Sequence, residues 1–177
     1  MAERVRRWLA LGDSYTVGEG VAEGDRWPSQ LARLLADQGM PVQLTVIART
    51  GWTTDELWGA IQTPDLKPPY DLVSLLIGVN NQYRGKSLDE YQDHFRSFLV
   101  RAVAFSGMDP RKVLVLSIPD WGVTPFGQAR LPDRVGAEID QFNAINRREA
   151  AETGVHYVDV TPESRRDGPA PAFLAAD

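Results

Sequence analysis

The chain has 177 residues, 43% of them hydrophobic and 24% charged, with a net charge of −5. That is the profile of an ordinary globular protein with a core of its own, and one domain over residues 1–177 is expected. The negative balance argues against nucleic acid or an anionic membrane surface as main partner, and the lack of cysteine excludes disulfides, thiolate metal sites and a cysteine nucleophile.

The basic start leads into an apolar run at Trp8–Leu11 that is too short for a signal peptide, and it passes straight into Gly12-Asp13-Ser14. It reads as a strand. No stretch is long enough to span a bilayer, and the cytoplasm is the expected location. Trp27–Gln38 reads as a helix with Leu31, Leu34 and Leu35 on one face, ended by Gly39. Val42–Ala48 is β-branched and reads as a second strand. Thr53 and Glu56 have capping-box spacing, so a helix is expected from Thr54 to about Ile61.

Asp71–Ile77 is the most uniformly apolar run, as a central parallel strand requires. Leu88–Phe105 follows as a long helix with Leu88, Tyr91, Phe95, Phe98, Leu99 and Ala102 on its buried stripe. Lys112–Ile118 is a fourth strand, closed by the turn Pro119-Asp120-Trp121-Gly122. Asp133–Thr153 is a helix carrying Ile139, Phe142 and Ile145, and Val155–Val160 is a fifth strand. Thr161–Asp177, with Pro162, Pro169 and Pro171, reads as loop, which would leave one face of an end strand poorly covered. The alternation predicts a parallel sheet with helices on both faces.

In open parallel sheets ligands bind beyond the carboxyl ends of the strands. Three turns stand there: Gly12–Gly18, Thr50–Thr54 and Gly78–Asn81. They supply what acyl transfer needs. Ser14 offers a hydroxyl on a tight turn, and the N–H groups of Ser14 and Gly51 with the Asn80 amide can converge on a developing oxyanion. Each such donor contributes about 2.7–4 kcal/mol to transition-state stabilisation. Trp52, Tyr83 and Trp121 stand near the predicted mouth, either as walls of a substrate pocket or as packing beneath loops. Asp13 reads as holding its turn, Asp120 as loop or pocket structure, and Asp159 as a strand-end turn residue.

Gly12-Asp13-Ser14-x-Thr16-x-Gly18, Gly51 and Gly78-x-Asn80 resemble, in order, the first three blocks of the SGNH, or GDSL-type, hydrolases. Tyr15 stands where the leucine of that name would be, and Asn81 stands where an aspartate is frequent, a position expected to support the turn. The resemblance covers roughly residues 8–177. It implies a three-layer flavodoxin-like α/β fold with a five-stranded parallel sheet, with Ser14 as nucleophile and Ser14, Gly51 and Asn80 as oxyanion donors. No cofactor and no metal are implied, and the partner is a small acyl-ester substrate.

The family's last block, Asp-x-x-His, would begin at Asp177, which the resemblance makes the catalytic acid. Its histidine falls beyond the last residue, and so does the family's C-terminal helix, so the domain is expected to be incomplete there. His156, at the start of the fifth strand, and His94, on a helix face, are not expected to reach Ser14. A protein ending at Asp177 is therefore expected to be nearly inactive, since triad members act as a unit. Two functions follow: hydrolysis of carboxylic esters or thioesters (esterase, lysophospholipase or carbohydrate deacetylase), or binding of acylated ligands without cleavage. A flavin or nucleotide binder would need a Gly-x-Gly-x-x-Gly or Walker-type loop, which is missing.

Overall fold

A computed structural model describes residues 4–63, 65–130 and 132–170. In chain order the elements are β1 (Arg6–Gly12), α1 (Ser14–Val17), α2 (Trp27–Asp37), β2 (Val42–Ala48), α3 (Thr54–Ala60), β3 (Leu72–Leu76) and α4 (Val79–Tyr83). There follow α5 (Leu88–Phe105), β4 (Val113–Leu116), α6 (Pro125–Gln128), α7 (Pro132–Thr153), β5 (His156–Val158) and α8 (Thr161–Asp167). The five strands form one parallel sheet in the order β2-β1-β3-β4-β5. The chain steps from β1 to one side and then returns to the other, so the switch point lies between β1 and β3.

Alternation along β1 divides the core between the two faces of the sheet. Leu9 and Leu11 join the main cluster with Phe95, Phe98, Leu99, Ile139 and Phe142. Trp8 points the other way, stacks 5.6 Å from Trp27 at the start of α2, and donates its indole N–H to Ser74. On the first face α3, α5 and α7 touch in sequence, with the expected stripes of α5 and α7 buried except Leu88, which is only partly covered at the start of α5. Burial of a Phe such as Phe95 or Phe98 is worth about 3–5 kcal/mol against truncation to Ala. Among the described residues no helix is long and apolar enough to cross a membrane.

Three expectations are corrected. Leu34 does not face the core: it is 60% exposed, because α2 lies over the margin of the sheet beside edge strand β2 and buries its Leu31 and Leu35 side only in part. The fifth strand stops at Val158 rather than Val160. There the Ser117 hydroxyl oxygen accepts the N–H groups of Val160 and Thr161 at 2.8 and 3.0 Å and turns the chain out of the sheet. The stretch after it is not all loop, since Thr161–Asp167 is α8. Pro162 sits in its first turn, where a missing N–H removes no helical bond, so this proline marks a helix start. Packed against the Trp121–Val123 turn, α8 leaves Val158 at the sheet edge 43% exposed.

Candidate active site

Ser14 is the first residue of α1, set directly after the carboxyl end of β1. What the sequence offers as a turn is a single helical turn with an N-cap. Asp13 Oδ1 accepts the Tyr15 N–H at 3.1 Å, and Gly18 closes the turn at φ 68°. Gly12 has no room for a side chain, since a Cβ there would stand 2.1 Å from Thr16 Oγ1 and 2.5 Å from the Leu76 carbonyl oxygen. The first block's glycine lets β1, β3 and α1 close on one another.

Asp13 itself is fully buried, and neither its Oδ2 nor Thr16 Oγ1 has a hydrogen-bond partner among the described residues. Burial pushes its pKa up to about 7, with the N–H groups of Tyr15, Asp13 and Gly78 pulling in the opposite direction. The Tyr15 phenol is likewise raised by burial, and further by the charges of Asp13 and Asp120.

After β2, Trp52 N–H donates to the Arg49 carbonyl at 3.2 Å, and Gly51 adopts φ 83°, a left-handed conformation that suits glycine. The Thr53–Glu56 capping box forms as expected, with the Thr53 N–H 2.6 Å from Glu56 Oε2. After β3, Gly78 at φ 128° opens α4, where a Cβ would lie 2.4 Å from the Tyr91 hydroxyl. Asn80 Nδ2 donates one hydrogen to the Trp52 carbonyl at 2.9 Å, which leaves the second N–H of its amide for a ligand. Asn81 supports the turn: its Oδ1 accepts the Thr54 N–H at 3.1 Å and its Nδ2 donates to Thr54 Oγ1 at 2.9 Å. Among the described residues neither the Ser14 N–H nor the Gly51 N–H donates to a protein acceptor.

A cleft of about 300 Å³ at the switch point is lined by Ser14, Tyr15, Glu19, Val79, Asn80, Tyr83, Trp121 and Phe126. Ser14 and Asn80 therefore share one cavity, with Tyr83 and Trp121 at its wall. Gly51 and Trp52 are not among the lining residues. Trp52 packs partly buried against the core, and its carbonyl serves as the anchor of Asn80. Tyr83 meets Trp121 edge to face at 5.5 Å, and Trp121 lies 5.8 Å from Phe126, so three aromatic rings form a continuous wall. Trp121 is held by its indole N–H on Gln82 Oε1 at 2.8 Å, while Gln82 donates to Glu138 at 2.7 Å.

Neither histidine lines the cleft. His94 on α5 stands 3.1 Å from Asp55 and 3.2 Å from Thr54 Oγ1, and His156 opens β5 opposite Leu114. Asp120 accepts the Gly122 N–H and pairs with Arg165 at 2.9 Å; Asp159 is bound by Ser117 and Arg147. Asp177 lies outside the described residues. Glu19 and Phe126 line the cleft and Gln82 holds its wall residue Trp121, and the motifs reveal none of the three. Glu19 comes one residue after the Gly18 that ends α1, and Gln82 is two residues beyond Asn80 on α4, signals visible only once these turns are known to be helical.

Fold and site together define a class: a doubly wound α/β protein that presents a serine hydroxyl and an asparagine amide at its switch point. The chain belongs to the GDSL-like Lipase/Acylhydrolase family, whose sequence pattern matches residues 10–177. That family supports an enzyme of the esterase type. No curated relative matches the chain in sequence. Among solved structures, AlinE4, an SGNH-hydrolase family esterase, is 21% identical with a TM-score of 0.76, the likeness covering 100% of this chain and 86% of that one. Axe2, an acetylxylan esterase from Geobacillus stearothermophilus, is 20% identical with a TM-score of 0.75 over 96% of this chain and 84% of its own. The structure of TesA is 22% identical with a TM-score of 0.69, covering 86% and 77% respectively. These likenesses show the shared α/β fold.

Proposed function

We propose that the protein is a serine hydrolase of carboxylic esters or thioesters, with Ser14 as nucleophile. The observation that carries this is the meeting of the Ser14 side chain and the Asn80 amide in one cleft at the sheet's switch point. In the reaction Ser14 Oγ bonds to the substrate's carbonyl carbon, and the carbonyl oxygen takes the negative charge. The N–H groups of Ser14 and Gly51 and the second N–H of Asn80 stabilise that oxyanion. Collapse expels the alcohol or thiol, which takes up the proton that Ser14 Oγ gave up on attack; water then adds to the acyl group, returns a proton to Ser14 Oγ and leaves as part of the carboxylic acid.

The aromatic wall of Tyr83, Trp121 and Phe126 suits a flat or ring-shaped group beside the reacting carbonyl. A small acyl group on a larger, ring-bearing alcohol is the substrate class that fits, in keeping with an acetylxylan esterase among the structural neighbours. The resemblance assigns the triad acid to Asp177. The absence of both histidines from the cleft lining favours a second reading, a binder of acylated ligands that does not cleave them.

Hydrolysis of p-nitrophenyl acetate and p-nitrophenyl octanoate tests the proposal. Asn80→Ala is expected to lower kcat on the acetate about 10²–10³-fold, with the octanoate the poorer substrate throughout. Equal rates for the native protein and Asn80→Ala would contradict it, and tight acyl-ester binding with no turnover would select the binder.

A further inference from the structure

α4 and the residue after it hold the loop between β2 and α3 at several points. Asn80 takes the Trp52 carbonyl at 2.9 Å, and Asn81 takes both the N–H and the hydroxyl of Thr54. Arg84 Nη2 donates to the Gly51 carbonyl at 2.6 Å, and its Nη1 lies 3.3 Å from Glu56 Oε1. Arg84 follows Asn80 by four residues, the spacing that puts two side chains on one helical face. The pair thus grips the carbonyls of two successive residues, Gly51 and Trp52.

Gly51 needs such a hold. It has no side chain, stands at φ 83°, and the nearest atom to the place of a Cβ is Arg84 Nη2 at 3.7 Å. Glu56 fixes Arg84 in turn. Its carboxyl is held below the usual range by the Thr53 hydroxyl and N–H and by Arg84, so it stays ionised beside the guanidinium. Fixing the carbonyl on one side of the Gly51 Cα restricts rotation about the glycine, and with it the direction of the N–H on the other side.

We propose that Arg84 is a positioning residue that, by holding the Gly51 carbonyl, keeps the Gly51 N–H aligned with the Asn80 amide. This rests on the reading of Gly51 and Asn80 as oxyanion donors. Arg84 touches neither substrate nor reacting atoms in this role. Its effect is on the reaction step, and substrate affinity is left nearly unchanged.

The test compares native protein, Arg84→Ala and Arg84→Lys with p-nitrophenyl acetate, thermal unfolding and the ¹⁵N order parameter of the Gly51 amide. Arg84→Ala is expected to lower kcat about tenfold or more with KM within about twofold. Arg84→Lys, whose ammonium can also donate to the Gly51 carbonyl, recovers most of the rate, and both variants unfold within a few degrees of the native protein. The Gly51 order parameter falls in Arg84→Ala from a rigid value of about 0.85 towards 0.6. An unchanged kcat, a raised KM with unchanged kcat, or a loss of rate explained by equal loss of thermal stability in both variants overturns the proposal. If the native protein turns over no ester, the reading of the site fails, and the order parameter alone decides Arg84: a fall in Arg84→Ala supports the hold on Gly51, and an unchanged value overturns it.

Discussion

Two turns of the same design border the cleft. Asp13 follows β1 and accepts the N–H two residues on, from Tyr15; Asp120, beyond β4, does the same with Gly122. Both aspartates are buried, and the residue after each, Ser14 in one case and Trp121 in the other, lines the cleft. They differ at the second carboxylate oxygen. Asp120 Oδ2 meets the Arg165 guanidinium at 2.9 Å, whereas Asp13 Oδ2 has no hydrogen-bond partner among the described residues. One local motif thus yields an ion-paired support for the wall residue Trp121 and, among the described residues, a support without a cation for Ser14. Buried carboxylates without a partner are costly, and sites that do chemistry are where such costs are found.

The largest way to sharpen this contrast is to remove the two presented side chains. Ser14→Ala is expected to lower ester hydrolysis at least about a thousandfold with little change in stability. Trp121→Ala, assayed beside it, is expected to change KM more than kcat and to shift preference among alcohol groups. Comparable losses from both would break the assignment of roles.

The two aspartates should also respond oppositely to neutralisation. The folded-state pKa of Asp13, about 7, lies above its ordinary 3.8, so folding takes up a proton between those values. Stability therefore falls as pH rises through that window, and the full penalty is present above pH 7. At about 1.4 kcal/mol per pH unit this amounts to on the order of 4 kcal/mol. Asp13→Asn, which cannot ionise, should lack the fall, so its stability relative to the native protein rises from pH 4 to pH 8 in urea unfolding. A parallel pair of pH profiles would show that Asp13 is not the group responsible.

Asp120→Asn should act the other way and more weakly. It takes the charge away from Arg165, which is 37% exposed, and is expected to cost about 1–2 kcal/mol at neutral pH, a few degrees in melting temperature. A gain in stability would break the comparison at its ion-paired side.

The two turns also differ in how far the sequence reveals them. Gly12-Asp13-Ser14 is legible because every part of it is contiguous: strand, cap, serine and the glycine that ends the turn lie within seven residues. The sheet and its long helices are legible for the same reason, since the apolar period of Leu88–Phe105 and the run before Ile77 each lie within one segment. Asp120 is different. Its partner Arg165 lies in α8, a stretch whose prolines read as loop, and nothing in the order of residues announces a pairing over that separation. Arg84 and Gln82 are hidden likewise, because their contacts to Gly51 and Trp121 exist only once the crossovers bring the strand ends together. Trp52 shows the limit from the other side: its place beside Gly51 leaves pocket wall and packing both open, and the structure shows the side chain packed partly buried against the core while its carbonyl accepts the Asn80 amide.

The assignment of Ser14 as nucleophile is tested most directly by reacting the protein with a fluorophosphonate and mapping the adduct by mass spectrometry. One adduct per chain on the peptide containing Ser14, abolished in Ser14→Ala, is the expected result. An adduct on another residue, or undiminished labelling of Ser14→Ala, would contradict it.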